Sequence, residues 1–194
     1  MKPHWNNEST NFIGGWYMED GSLCDRLINY FSKSEDTVVG AFANGGERIV
    51  NFDVKESKDL QLFDEELHNE YNIHLQECVD EYIELYEFSG RTACGWSASV
   101  EPANIQYYKP GGGYKTWHFE RGNPGTITRN LVYMTYLNTV TDCGGTAFKY
   151  QNLEVQAEKG LTLIWPAEWT HTHKGIVSPT QEKYIITGWF NYVL

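Results

Sequence analysis

From Cys94 onward, short runs of β-branched and aromatic residues alternate with turn residues, and this pattern limits the fold more than any other feature of the chain. NIQYY, YKTWHFE, RNLVYMTYLN, TAFKY, LTLIW, HTHKG and EKYIITGWFNYV are punctuated by KPGGG, RGNPG, DCGG and EKG. Branched and aromatic side chains suit a pleated, half-buried surface, while glycine, proline, asparagine and aspartate supply the reversals between strands. Seven such runs with no helix between them predict a β-sandwich or barrel. The first half differs. NFIGGWYM predicts a short strand, and EDGSLCDRLINYFSKS a helix with Leu23, Leu27, Tyr30 and Phe31 at helical spacing. From about Phe63 to Phe88, Leu67, Tyr71, Leu75, Val79, Tyr82, Ile83 and Tyr86 mark the face of a long amphipathic helix that packs on a core and leaves its acidic side in water. The expected class is mainly β with flanking helices (α+β). A helical and strand support region over 1–93 and a β core over 94–194 make one domain of 194 residues.

Composition narrows the function. The net charge of −11, with 15 basic against 26 acidic side chains, repels phosphate backbones, so nucleic acid is not the expected partner. No stretch approaches the ~18 apolar residues of a membrane span, and the opening MKPHWNNEST lacks the apolar run of a signal peptide. Cys24, Cys78, Cys94 and Cys143 are scattered without a CxxC pair and read as reduced thiols of a cytoplasmic protein, not as metal ligands.

The chemistry concentrates at two places. In WHFER, His118 and Glu120 stand two apart on an expected strand, and alternation points both to one side. That arrangement suits two ligands of one metal ion, and His171 or His173 could supply the third. Two imidazoles and one carboxylate on a single face leave the opposite face open, the arrangement non-heme Fe(II) oxygenases use. The second place is EKYIITGWF, where Lys183, Ile185, Thr187 and Trp189 share one face. Both faces of that strand are largely apolar, so Lys183 is expected to be partly buried and to need an anion. A dicarboxylate ligand would serve, as would a protein carboxylate such as Glu154 or Glu158.

From about Ile105 onward the sequence resembles the Fe(II)- and 2-oxoglutarate-dependent dioxygenases, in their prolyl 4-hydroxylase-like branch. YKPGGGYKTWHFE resembles the tyrosine–glycine loop and the HxD/E motif. RNLVYMTYLN, CGGTAF and EKGLTLIW are similar to the strands and turn that follow, and the last segment to a distal histidine with a basic residue ten positions on. The resemblance implies a double-stranded β-helix (jelly-roll, cupin-like) core, with Fe(II), 2-oxoglutarate and O2 as cofactors and ascorbate as an optional reductant. It implies His118, Glu120 and His173 as the metal ligands and catalytic centre, His173 lying ten residues before Lys183 and His171 twelve. Lys183 takes the place of the residue that holds the far carboxylate of 2-oxoglutarate, with Thr187, Tyr136 and Tyr108 nearby. Arg129, Trp189 and His171 fall beside the substrate channel, although Arg129 could equally be a surface cation.

Two departures stand out: Glu120 replaces the branch's usual aspartate, and the turn carries Cys143 and Gly145 where glycine and an acidic residue are common. Because the carboxylate is retained, a halogenase is disfavoured. The implied activity is hydroxylation of a C–H bond, most naturally of a prolyl residue in a peptide or protein or of a free amino acid, with release of succinate and CO2. KPGGG and RGNPGT are expected to grip the substrate as mobile loops. A non-catalytic metal and 2-oxoglutarate sensor of the same fold, or a cupin-like enzyme that needs no oxo-acid, are the alternatives.

Overall fold

The structure is a computed structural model that describes residues 2–4, 11–44 and 47–193. Residues 5–10 of the polar opening stretch lie outside the described residues. The first half supplies the strands β1 (Lys2–Pro3) and β2 (Gly14–Tyr17), then helix α1 (Ser22–Lys33). Five short strands follow: β3 (Val38–Val39), β4 (Phe42–Asn44), β5 (Glu47–Ile49), β6 (Lys55–Glu56) and β7 (Lys58–Gln61). Helix α2 (Glu65–Leu85) starts on Asp64, whose carboxylate accepts the Leu67 amide and caps an acidic first turn.

Among the described residues the second half has strands and short 3-10 turns but no α-helix. β8 (Trp96–Ser97), β9 (Asn104–Tyr108), β10 (Gly113–Tyr114) and β11 (Arg129–Tyr136) come first, then β12 (Thr146–Phe148) and β13 (Leu153–Val155). β14 (Leu161–Pro166), β15 (His173–Gly175) and β16 (Lys183–Tyr192) complete it. The large sheet runs β1-β2-β14-β11-β16-β9-β7-β3, with β8 also on β16, and a small sheet runs β13-β12-β15. Every pairing among these strands is antiparallel. The large sheet thus draws on both halves of the chain.

Period-two alternation sorts the large sheet's side chains into two cores. Leu131 and Tyr133 of β11 and Ile186 of β16 meet Leu27, Leu67, Tyr71 and Leu75 of the helices. Val132, Met134 and Tyr136, with Ile185, meet Phe148 and Val155 of the small sheet. A buried polar chain threads the helix side, because strand hydroxyls cannot stay unpaired there. Tyr71 bonds Thr135, Thr135 bonds Thr162, and Thr162 bonds His74, at 2.8, 2.7 and 2.7 Å.

Both helices and the main strands fall where the sequence predicts. Three regions differ. Residues 38–61, too short and charged to show a period, form five strands. The WHFE run is not a regular strand: His118 makes an isolated bridge to His173 through two 2.9 Å backbone hydrogen bonds. HTHKG is split, since a 3-10 turn covers Trp169–His171 and only His173–Gly175 is strand. The two histidines are therefore not neighbours on one regular strand face.

Candidate metal centre and its cavity

The His118–His173 bridge sets two imidazoles side by side, and the Glu120 amide, bound to the Ala167 carbonyl at 3.0 Å, brings the carboxylate alongside. One donor atom from each of His118, Glu120 and His173 lies within 4.8 Å of the others. Glu120 Oε1 is 3.6 Å from Nε2 of either histidine. Two donors each ~2.1 Å from an ion and roughly at right angles sit ~3 Å apart, so the triangle fits a divalent metal with a small contraction. Both histidines use Nδ1 on a backbone carbonyl, His118 on Thr116 and His173 on His171, each at 2.9 Å. Nδ1 carries the hydrogen in such a bond, which leaves the Nε2 lone pair facing the triangle. Tyr114 stacks on His118 at 3.6 Å and Trp165 meets His173 edge-on at 5.0 Å, so neither ring can swing.

The electrostatics suit a dication. Burial, reinforced by His173, pulls His118 down to about 3, so it stays neutral. Burial alone would raise Glu120, but the histidines and Arg129 outweigh it and hold the carboxylate at about 2. Two imidazole nitrogens with an ionised glutamate form the N2O donor set that suits Fe(II).

The triangle opens into a cavity of about 600 Å³. Lys183, 4 % exposed, projects into it with its ammonium 2.8 Å from the Gly144 carbonyl and 5.0 Å above the Tyr108 ring. Among the described residues no carboxylate pairs with it; Glu158, one of the candidate partners, instead accepts from the Tyr17 hydroxyl. Burial lowers Lys183 to about 8. Tyr136 also lines the cavity and shares one hydrogen bond with Thr146 at 2.6 Å. Two hydroxyls joined by one bond keep one hydrogen to offer. Thr187 lines the cavity but donates to the Tyr133 carbonyl at 2.9 Å, and the Tyr108 hydroxyl donates to Gln106. As placed, neither has a hydrogen left for a ligand.

Arg129 and Trp189 both line the cavity, against Glu120, and Arg129 is no free surface cation. His171 does not line it; its Nε2 bonds the Asn11 carbonyl at 2.8 Å and ties the start of the chain to the 3-10 turn. The Cys143 departure occupies a left-handed backbone at φ 89°, and the Gly145 departure has a cause: a Cβ there would sit 2.1 Å from the Val155 carbonyl. The KPGGG turn is pinned, because Lys109 and Lys115 both bind Glu56, at 2.8 and 2.9 Å. Gly122, Asn123 and Thr126 of RGNPGT line the cavity.

Sequence reasoning missed a polar wall opposite. Lys55 and Asp59, both over nine-tenths buried, pair at 2.7 Å, and Ser57 and Asn104 bond the same carboxylate. Gln106 continues the wall along β9. The alternation K-x-S-x-D in 55–59 and N-x-Q-x-Y in 104–108 was the available signal, hidden because charges in an acidic stretch read as a solvated face.

Residues 103–191 match the family model of the 2OG-Fe(II) oxygenase superfamily. No curated protein matches the chain. Among solved structures, a prolyl hydroxylase from Trichoplax adhaerens in complex with a hypoxia inducible factor peptide fragment aligns at TM-score 0.74 and 18 % identity, covering 94 % of this chain and 84 % of that one. A Pseudomonas putida prolyl-4-hydroxylase aligns at 0.68 and 15 %, covering 95 % of each. The viral collagen prolyl hydroxylase of Paramecium Bursaria Chlorella virus-1, in its 2OG complex, aligns at 0.66 and 16 %, covering 94 % and 97 %. Residues 103–191 are thus similar to the 2OG-Fe(II) oxygenase superfamily, and the chain has the double-stranded β-helix fold that these prolyl hydroxylases share.

Proposed function

We propose that the chain hydroxylates a C–H bond of a prolyl residue within a peptide or protein, consuming 2-oxoglutarate and O2 and releasing succinate and CO2. The observation that carries this reading is the His118–Glu120–His173 triangle sharing one cavity with a buried ammonium that has no carboxylate partner among the described residues. Iron bound there would supply the redox chemistry, coupling decarboxylation of 2-oxoglutarate to transfer of one oxygen atom into the substrate.

The chain's own groups do the rest. Nε2 of His118 and His173 and Oε1 of Glu120 would hold the metal. Lys183 takes the distal carboxylate of 2-oxoglutarate, and the free hydrogen of the Tyr136–Thr146 pair serves the same group. Trp165 and Phe148, packed on His173, keep water from that side.

The balance of charges favours a peptide over a free amino acid. Lys55 is paired with Asp59 and Arg129 with Glu101 and Glu120, so once 2-oxoglutarate meets Lys183 no cavity charge is left over for a zwitterion. Gln106 keeps two amide hydrogens and Asn104 an amide oxygen toward the cavity, with no protein partner among the described residues. Donors and an acceptor of that kind match a peptide group. The large sheet and the cavity use both halves of the chain, so the whole acts as one domain, and its four free cysteines suit a cytoplasmic setting. The test is succinate release, with the mass gain of one oxygen, across capped prolyl peptides and free amino acids. Turnover of the peptides supports the reading; turnover of free amino acids alone, or none with any substrate, overturns it.

A further inference from the structure

Alternation on β11 puts even-numbered residues on the cavity side, so Arg129 ought to point at the helices. It does not, because the register with β16 slips between Arg129 and Leu131: Leu131 faces Phe190 and Arg129 faces Asn191, with Asn130 as the extra residue. A bulge of this kind re-aims a side chain. Here it turns Arg129 toward Glu120. The guanidinium lies 3.3 Å from the centre of the Trp189 ring and is gripped in two-pronged fashion by Glu101, at 2.9 and 2.6 Å. Its remaining arm reaches Glu120 Oε2 at 3.4 Å, and the Trp189 indole N–H donates to the same oxygen at 3.1 Å. The two carboxylate oxygens are therefore divided: Oε2 belongs to Arg129 and Trp189, and Oε1 faces the two histidines.

Building on the proposed reading of Glu120 as a metal ligand, we propose that Glu101, Arg129 and Trp189 form a clamp that orients this carboxylate and restricts it to one donor oxygen. A glutamate has one more rotatable bond than the aspartate usual in the resembling branch, so fixing it costs more side-chain entropy. The clamp offsets that cost before any metal arrives. It also keeps Oε2 from turning onto the ion, which preserves the open positions for co-substrate and oxygen. Trp189 and Arg129 are positioning residues in this account, acting on the metal through Glu120.

The test is Co(II) binding to apoprotein, followed by its visible absorption, in wild type, Trp189→Phe and Arg129→Gln, with the urea stability of each apoprotein measured alongside. Trp189→Phe keeps an aromatic ring but removes the N–H, so its apoprotein should unfold at close to the wild-type urea midpoint. Its Co(II) dissociation constant should rise by 10- to 100-fold, and that of Arg129→Gln by at least as much. Because Arg129→Gln also strands Glu101, Trp189→Phe alone decides the matter should the arginine variant fail to fold. Trp189→Phe with wild-type Co(II) affinity overturns the clamp while leaving the metal centre standing. Wild-type protein that takes up no Co(II) overturns the metal centre, and the clamp with it.

Discussion

Replacing Lys183 with methionine should stabilise the empty protein while abolishing its response to 2-oxoglutarate. The drop of the Lys183 pKa from 10.5 to about 8 corresponds to roughly 3 kcal/mol by which the fold disfavours the charged amine. The side chain is 4 % exposed, so water screens little of that cost. Methionine matches the stem in length and carries no charge. It forfeits the hydrogen bond to the Gly144 carbonyl, worth about 1 kcal/mol. The balance is a gain of ~1–2 kcal/mol at pH 7, read from urea unfolding followed by tryptophan fluorescence. The pH dependence has a definite sign. Between about 8 and 10.5 the unfolded chain keeps the Lys183 proton and the folded one has lost it, so wild-type stability rises with pH across that window. The advantage of the variant should accordingly shrink from pH 7 to pH 10. With Mn(II) present, 2-oxoglutarate at a hundredfold excess over its dissociation constant should add ~2.7 kcal/mol to wild type and close to nothing to the variant. A variant less stable than wild type by 1 kcal/mol or more, or one still stabilised by 2-oxoglutarate, would refute the reasoning.

Two further outcomes follow from buried or strained positions. Burial holds His74 down at about 4, against an ordinary 6.5, so the unfolded chain takes up a proton the native state refuses as pH falls through that interval. Stability should drop by up to ~3 kcal/mol between pH 7 and pH 4 on this account, and His74→Gln should flatten the slope in urea midpoints taken at pH 7, 5.5 and 4.5. Cys143 sits at φ 89°, where a residue without a Cβ is favoured, so Cys143→Gly should raise the unfolding free energy by ~1 kcal/mol; no gain in a thermal melt would count against strain there.

How much was legible in advance depended on how far each element's periodicity ran. Helix α2 and strands β11 and β16 are long enough for spacing to show, and the sequence placed them within a few residues. The stretch 38–61 was not readable, because its strands run two to four residues and get their partners from β9, from β10 or from one another, not from their own composition. At the site, the HxE pair and the lysine ten residues after His173 were readable from spacing. Alternation could not choose between His171 and His173. The 3-10 turn at 169–171, which carries His171 away to the Asn11 carbonyl, is a tertiary effect. The bulge that re-aims Arg129 was likewise invisible, since it exists only in the pairing with β16.

The account stands or falls on one ion and one anion occupying the same cavity. A crystal structure of the protein grown without oxygen, with Mn(II) and 2-oxoglutarate, tests it most directly. The expected density places the metal within bonding distance of His118 Nε2, His173 Nε2 and Glu120 Oε1, and the far carboxylate of the diacid on the Lys183 ammonium. A metal held by other residues, or a diacid whose carboxylates both lie away from Lys183, would contradict it.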